Sequence, residues 1–310
     1  MDNMPIEQQP KVYEWMPPPG YYEGIAQSNV NAPVNFIGRM AIGLYGFVRY
    51  GRSKIVTSPG FDAMAEEVAQ GNVIVASIHR SGLDTVLLPN VLERVDIHHS
   101  RPMSKLELFQ KRLRRLVMHK LGGFAVDKEN RADIQGLSIA EAGILRRADL
   151  GDGKRHGFLR RKAKNGAVTI YAESTRVHND VLRVNKIKGG VALAAIENNS
   201  LIVPVGFAGL SSEKVGEKPK KVDGKRPKWP TAARDKRTWF GLGGPRLVFS
   251  IGDPFRLPAL SEEELKDSRA KTRAVATGRT IIIEAMRAEL ENAIKVRGSS
   301  LEEDFPQPEL

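Results

Sequence analysis

At 310 residues, 41% of them hydrophobic and 27% charged, the chain can bury a full core. The charged fraction argues against a polytopic membrane protein, and no apolar run reaches the roughly 18–20 residues that span a bilayer. With no cysteine there is no disulfide, thiolate metal site or cysteine nucleophile, and a formal net charge of +12 makes acidic partners the expected ones.

Residues 1–34, which begin "MDNMPIEQQPKVYEWMPPPGYYEG", are polar and proline-rich, and read as an extended or disordered arm without a secretion signal. From 35 to 54 the pattern changes. Phe36, Met40, Leu44, Phe47 and Val48 fall at helical spacing, with Arg39, Arg49, Arg52 and Lys54 and no acid between Glu23 and Asp62. That is the pattern of a helix lying in a membrane interface, although a packing helix of the domain has the same period. A short helix follows at "SPGFDAMAEEVAQGN", then "VIVASI" as a strand buried on both faces. A helix is expected from about Ser81, and "ELFQKRLRRLVMHKLG" reads as a basic amphipathic helix closed by Gly122 and Gly123. Downstream, a helix at 133–148 precedes a charged loop, "AVTIYAE" is a strand, "GGVALAAIENN" a small-residue helix and "LIVPVGFAG" a strand. Glu213–Arg237 carries ten Lys/Arg against four acids, half of the net charge, with three prolines, and reads as an exposed basic loop. "PRLVFSIGDPF" is a further strand, and Ser261 with Glu264 forms a capping box before a last helix running towards residue 296. Alternating strands and helices indicate an α/β fold: a mostly parallel central sheet flanked by helices, preceded by an N-terminal amphipathic helix. The expected organisation is an arm at 1–34, an interfacial helix at 35–54, one catalytic-sized domain at 55–296 containing the 213–237 loop, and a tail at 297–310.

Chemistry concentrates where "VIVASI" ends. His79 follows that strand and so stands at the carboxyl edge of the sheet, the edge at which open α/β folds bind their ligands. Ser81 can cap the next helix, so Asp84 falls in its first turn, folded back towards the imidazole. A carboxylate that accepts from one ring nitrogen leaves the other as a general base of fixed tautomer. By itself the H-x4-D spacing is common; a histidine capped by a nearby acid would look the same.

Three further blocks follow in order: "KLGGFAVDKEN" with Lys128, "VTIYAESTR" with Glu173, Ser174, Thr175 and Arg176, and "IVPVGFAG". With His79 and Asp84 these span residues 73–208. In this order they resemble the glycerolipid acyltransferases, typified by 1-acyl-sn-glycerol-3-phosphate acyltransferase, whose blocks are N-H-x-S-x-x-D, G-x-x-F/V-x-D/R-R, F-P-E-G-T-R and a V-P-V-type strand. The resemblance implies acyl transfer from a thioester, acyl-CoA or acyl carrier protein, to a lysophospholipid hydroxyl, giving phosphatidic acid. His79 would take the hydroxyl proton and Asp84 would orient it. Arg176 would bind the acceptor phosphate as a planar fork, Glu173 a glycerol hydroxyl, and Lys105, Lys128, Ser174 and Thr175 would complete the substrate site. No cofactor beyond the thioester co-substrate is implied. Three positions depart from the family pattern: Ile78 stands for its asparagine, Ser174 for its glycine and Lys128 for its arginine. Those at Ser174 and Lys128 leave glycerol 3-phosphate or another lysophospholipid open as the acceptor.

His98, His99 and His178 lack partners at metal-ligand spacing, so no metal is expected. The basic loop, with Trp229 within it and Trp239 just beyond it, suits an anionic membrane surface or, failing that, nucleic acid, and the resemblance favours the membrane. Together these place the protein in the cytoplasm, peripheral on the inner face of a membrane. A non-catalytic basic protein that binds membrane or nucleic acid is the alternative outside enzymes.

Overall fold

The computed structural model describes residues 13–27, 40–41, 53–70, 72–79, 84–97, 100–126, 138, 140–145, 166–172, 187–209 and 247–297. Seven strands form one sheet: β1 (Lys54–Thr57), β2 (Val73–Ser77), β3 (Ser100–Lys105), β4 (Phe124–Val126), β5 (Ala167–Tyr171), β6 (Leu201–Ala208) and β7 (Val248–Ile251), in the order β1-β7-β6-β2-β5-β3-β4. Strands β2 to β6 are parallel; β7 runs antiparallel to β6, and β1 parallel to β7. The sheet is thus mostly parallel, as expected. Its central strands are apolar at nearly every position, Ser77 and Thr169 excepted, because neighbouring layers cover both faces. Every residue of β2, β5 and β6 is buried.

Helices among the described residues include α1 (Tyr21–Gln27), α2 (Pro59–Ala63), α3 (Ala65–Gln70), α4 (Asp84–Glu93), α5 (Arg112–Lys120), α6 (Gly190–Asn198), α7 (Glu262–Lys266) and α8 (Ser268–Arg297), with a 3₁₀ turn at Leu106–Phe109 and further helical residues at 140–145. The expected capping box is present: Ser261 Oγ accepts from the Glu264 amide at 3.2 Å, and Glu264 accepts from the Ser261 amide at 2.9 Å. The final helical segment is interrupted at Asp267, whose backbone is extended, and the long α8 starts at the next residue. It covers β6 with Met286, Leu290, Ala293 and Ile294, and its Gly278 packs close to Ala192 of α6.

The arm expected at 1–34 is in part docked on the body. Tyr22 and Ile25 join the core, and Trp15 stacks on Phe109 at 6.1 Å with Arg115 over its ring at 4.8 Å. The Gln110 side chain both accepts from the Trp15 amide and donates to its carbonyl, and the Tyr21 hydroxyl accepts from the Ala125 amide. Four aromatic residues within ten positions offset the entropy of ordering a proline-rich segment, a balance that average polarity hides. Of the helix expected at 35–54, only Met40, Ala41, Ser53 and Lys54 are described, and Lys54 opens β1. The charged loop after residue 148, the 213–237 loop, Trp229, Trp239, His98, His99, His178 and the 297–310 tail, Arg297 apart, lie outside the described residues. No described helix is long and apolar enough to cross a membrane.

Residues 140–145 are helical and bury Ala140, Glu141, Ile144 and Leu145. Burial, reinforced by the neighbouring Glu197 carboxylate, raises the Glu141 pKa from 4.5 to about 8. The folded chain therefore holds a proton that the unfolded chain has released, and its stability falls as pH climbs from about 4.5 to about 8, then levels off. Glu141→Gln is expected to stabilise the protein by on the order of 3 kcal/mol at about pH 9 and by little at about pH 5, read from denaturant melts. Equal effects at both pH values would place that carboxyl in water.

Candidate active site

The chain leaves β2 through α4 towards β3, and leaves β5 through α6 in the opposite direction, towards β6. Right-handed connections that leave adjacent strands in opposite directions lie on opposite faces of the sheet, and between them a crevice opens at the strands' carboxyl ends, the switch point of an open α/β sheet. His79 stands at this point, two residues beyond β2. Asp84 is the first residue of α4, so the carboxylate returns across the turn to the ring. Nδ1 of His79 lies 3.1 Å from Oδ1 and 3.0 Å from Oδ2 of Asp84. Asp84 is fully buried, whereas the His79 side chain keeps 16% of its surface exposed. A buried carboxylate needs donors, and here it has the imidazole and the Thr85 hydroxyl, which donates to Oδ1 at 3.3 Å. Since a carboxylate only accepts, Nδ1 carries the proton and Nε2 the lone pair.

One neighbour of the pair went unnoticed in the sequence. Tyr171, the last residue of β5, is in register with Ser77, and its ring centroid lies 4.7 Å from that of His79 at 35°. Burial first, and then the Asp84 carboxylate, against a smaller opposing effect of Thr85, hold its phenol well above the ordinary value, so the hydroxyl stays protonated. The ring forms one wall for the imidazole. Its signal was only its place as the strand's last apolar residue, which means nothing until β2 and β5 are known to pair.

Lys105 closes β3 at the same carboxyl edge, half-buried, with β5 lying between its strand and β2. The described part of the third block ends at Ala172, whose amide donates to the Ser77 carbonyl at 3.0 Å. Glu173, Ser174, Thr175, Arg176 and Lys128 lie outside the described residues. The structure therefore brings His79, Asp84 and Tyr171 together and sets Lys105 on the same rim. The arrangement can take a proton from a group presented to Nε2 and hold the resulting imidazolium against a buried negative charge.

Residues 61–208 match the acyltransferase family. No curated protein matches the chain. Among solved structures, it is similar to the 1-acyl-sn-glycerophosphate (LPA) acyltransferase PlsC from Thermotoga maritima, with a TM-score of 0.40 and 16% identity, over 81% of this chain and 78% of that one. The family match thus takes in His79, Asp84 and Tyr171 together.

Proposed function

We propose that the protein transfers a fatty acyl group from a thioester donor to the free hydroxyl of 1-acyl-sn-glycerol 3-phosphate, giving phosphatidic acid. The observation that carries the proposal is the His79–Asp84 pair at the sheet's switch point, inside the acyltransferase segment. Nε2 of His79 takes the acceptor's hydroxyl proton as the oxygen attacks the thioester carbonyl. Asp84 holds the ring's tautomer and stabilises the imidazolium. The tetrahedral intermediate then expels the thiolate, which recovers a proton from His79. The acceptor is itself the nucleophile, so no acyl-enzyme forms. A chain without cysteine and without a G-x-S-x-G elbow suits that route.

In this reading Arg176 binds the acceptor phosphate, assisted by Lys105 and Lys128, and Glu173 accepts from a glycerol hydroxyl, with Ser174 and Thr175 completing the turn. The donor is acyl-CoA or acyl carrier protein, and the enzyme works from the cytoplasmic face of an anionic membrane. A second acceptor class is favoured by a specific observation: Lys128 and Ser174 replace the family's arginine and glycine, both on the acceptor side. A lysine meets phosphate as a point charge rather than a fork, which favours another lysophospholipid, whose phosphate is a diester, over a phosphate monoester.

The test is turnover by the purified full chain. It is given labelled acyl-CoA or acyl carrier protein thioester, and a panel of lysophosphatidic acid, glycerol 3-phosphate and other lysophospholipids. Labelled phosphatidic acid as the dominant product is expected. Another dominant product would move the acceptor, and no transfer to any member, together with vesicle or nucleic-acid binding, would make the chain a non-catalytic binder.

A further inference from the structure

Helix α5 is turned the unusual way round. Its sequence, "RLRRLVMHK", is amphipathic, yet the apolar side faces out. Leu113, Leu116 and Val117 are 74%, 55% and 48% exposed. With Lys120 they stand at i, i+3, i+4 and i+7, a single stripe at about 100° per residue. The opposite side faces the body: Arg115 reaches the Phe109 carbonyl and the Trp15 ring, Met118 packs on the Leu106–Phe109 cluster, and His119 lies against Trp15, Tyr21 and Phe109. The stripe is thus not a misjudged core face. The core side is already filled by the aromatic residues of the docked arm.

We infer that the outward stripe of α5 seats the protein on an anionic lipid surface, Leu113, Leu116 and Val117 entering the acyl–headgroup boundary and Arg112, Arg114, Lys111 and Lys120 meeting the headgroups. Charge selects this occupant. Arg112 and Arg114 project about 100° to either side of Leu113, so both flanks of the stripe carry a cation. From Lys111 to Lys120 there are five Lys/Arg and no acid. Cations on both sides of an apolar ridge fit a planar negative surface, where long basic side chains reach headgroups while the ridge inserts. Three side chains are also too small a patch for a stable protein interface. Position agrees. The chain reaches α5 from the carboxyl end of β3 through the 3₁₀ turn, on the sheet edge that carries His79. Seating α5 brings that edge to the source of a lipid acceptor.

The absence of cysteine provides the experiment. The full chain with Leu116→Cys, labelled with an environment-sensitive fluorophore, is titrated with vesicles of phosphatidylcholine alone or mixed with phosphatidylglycerol. A blue shift is expected with the mixed vesicles only. Leu113→Glu combined with Leu116→Glu, both exposed positions, is expected to lower partitioning into the mixed vesicles at least about tenfold with an unchanged circular dichroism spectrum. Arg112→Gln with Arg114→Gln is expected to erase the preference for the anionic lipid. Undiminished sedimentation of the double glutamate variant with those vesicles overturns the proposal. So does a label that shifts with protein concentration in the absence of lipid, which would assign the stripe to a second copy of the chain. None of these readouts requires turnover, so failure here and failure of the proposed reaction are separate results.

Discussion

Asp84→Asn is expected to lower kcat by about 10²- to 10⁴-fold, and His79→Ala by at least as much, with the fold retained in both. The asparagine variant is the sharper of the two. Asparagine fills the same buried space, and its amide can still meet Nδ1, so geometry is largely kept. What disappears is the negative charge that opposes the imidazolium and the rule that Nδ1 must be the protonated nitrogen. If the two residues act as one unit, the double variant is no worse than His79→Ala alone, because a carboxylate cannot orient a base that is absent. The measurement is kcat with saturating acceptor in mixed vesicles, alongside a thermal melt of each variant. An Asp84→Asn enzyme within about threefold of the parent would remove Asp84 from the chemistry and leave the pair as a structural cap.

Why this pair was legible in the sequence, and its surroundings less so, has a physical explanation. His79 and Asp84 are separated by one turn of chain, so a strand end followed by a helix start is enough to bring them together. Tyr171 reaches the same ring only through the pairing of β2 with β5, which no local pattern encodes. The strands divide in the same manner. β2, β5, β6 and β7 announce themselves as apolar runs. β3, "SRPMSK", has no apolar run because it buries Ser100 and Arg101, and these satisfy themselves only in the fold: Ser100 bonds to Thr169 across the sheet, while Arg101 donates to the carbonyls of Gly122 and Ile25. β1 and β4, at four and three residues, are too short to show a period. β7 was read as a strand, but its direction, opposed to the parallel set, is fixed by the Ala208–Val248 and Val205–Ile251 registers rather than by composition. For α5 the periodicity reports that a stripe exists; which side meets the body is decided by Trp15, almost a hundred residues earlier. Lys105 could be placed on the rim because it ends a described strand, whereas the phosphate-binding roles proposed for Arg176 and Lys128 rest on sequence blocks.

Gly206→Ala destabilises the protein by about 2–4 kcal/mol, although it adds a single methyl group. The fourth sequence block contains this glycine, and the fold gives it a purely steric reason. Gly206 lies within β6 where α8 crosses, and a Cβ there would stand 2.3 Å from the carbonyl carbon of Glu289 and from the amide nitrogen of Leu290. Both obstacles are helix backbone, which cannot rotate aside, so α8 must lift from the sheet and loosen the packing of Met286, Leu290 and Ala293. Gly252 supplies the control. A Cβ there would stand 2.4 Å from Oε1 of Glu289, a side chain that can move at the expense of its bond to Ser250. Gly252→Ala should therefore lose less than half as much stability as Gly206→Ala, both read as shifts in the denaturant midpoint at constant slope. Because Leu201–Val205 of β6, immediately before Gly206, pair with β2, whose end presents His79, the Gly206 variant should also lose activity at temperatures well below its melt, and the Gly252 variant should not. Matching midpoints for the two variants would mean that α8 does not rest on β6 at this distance.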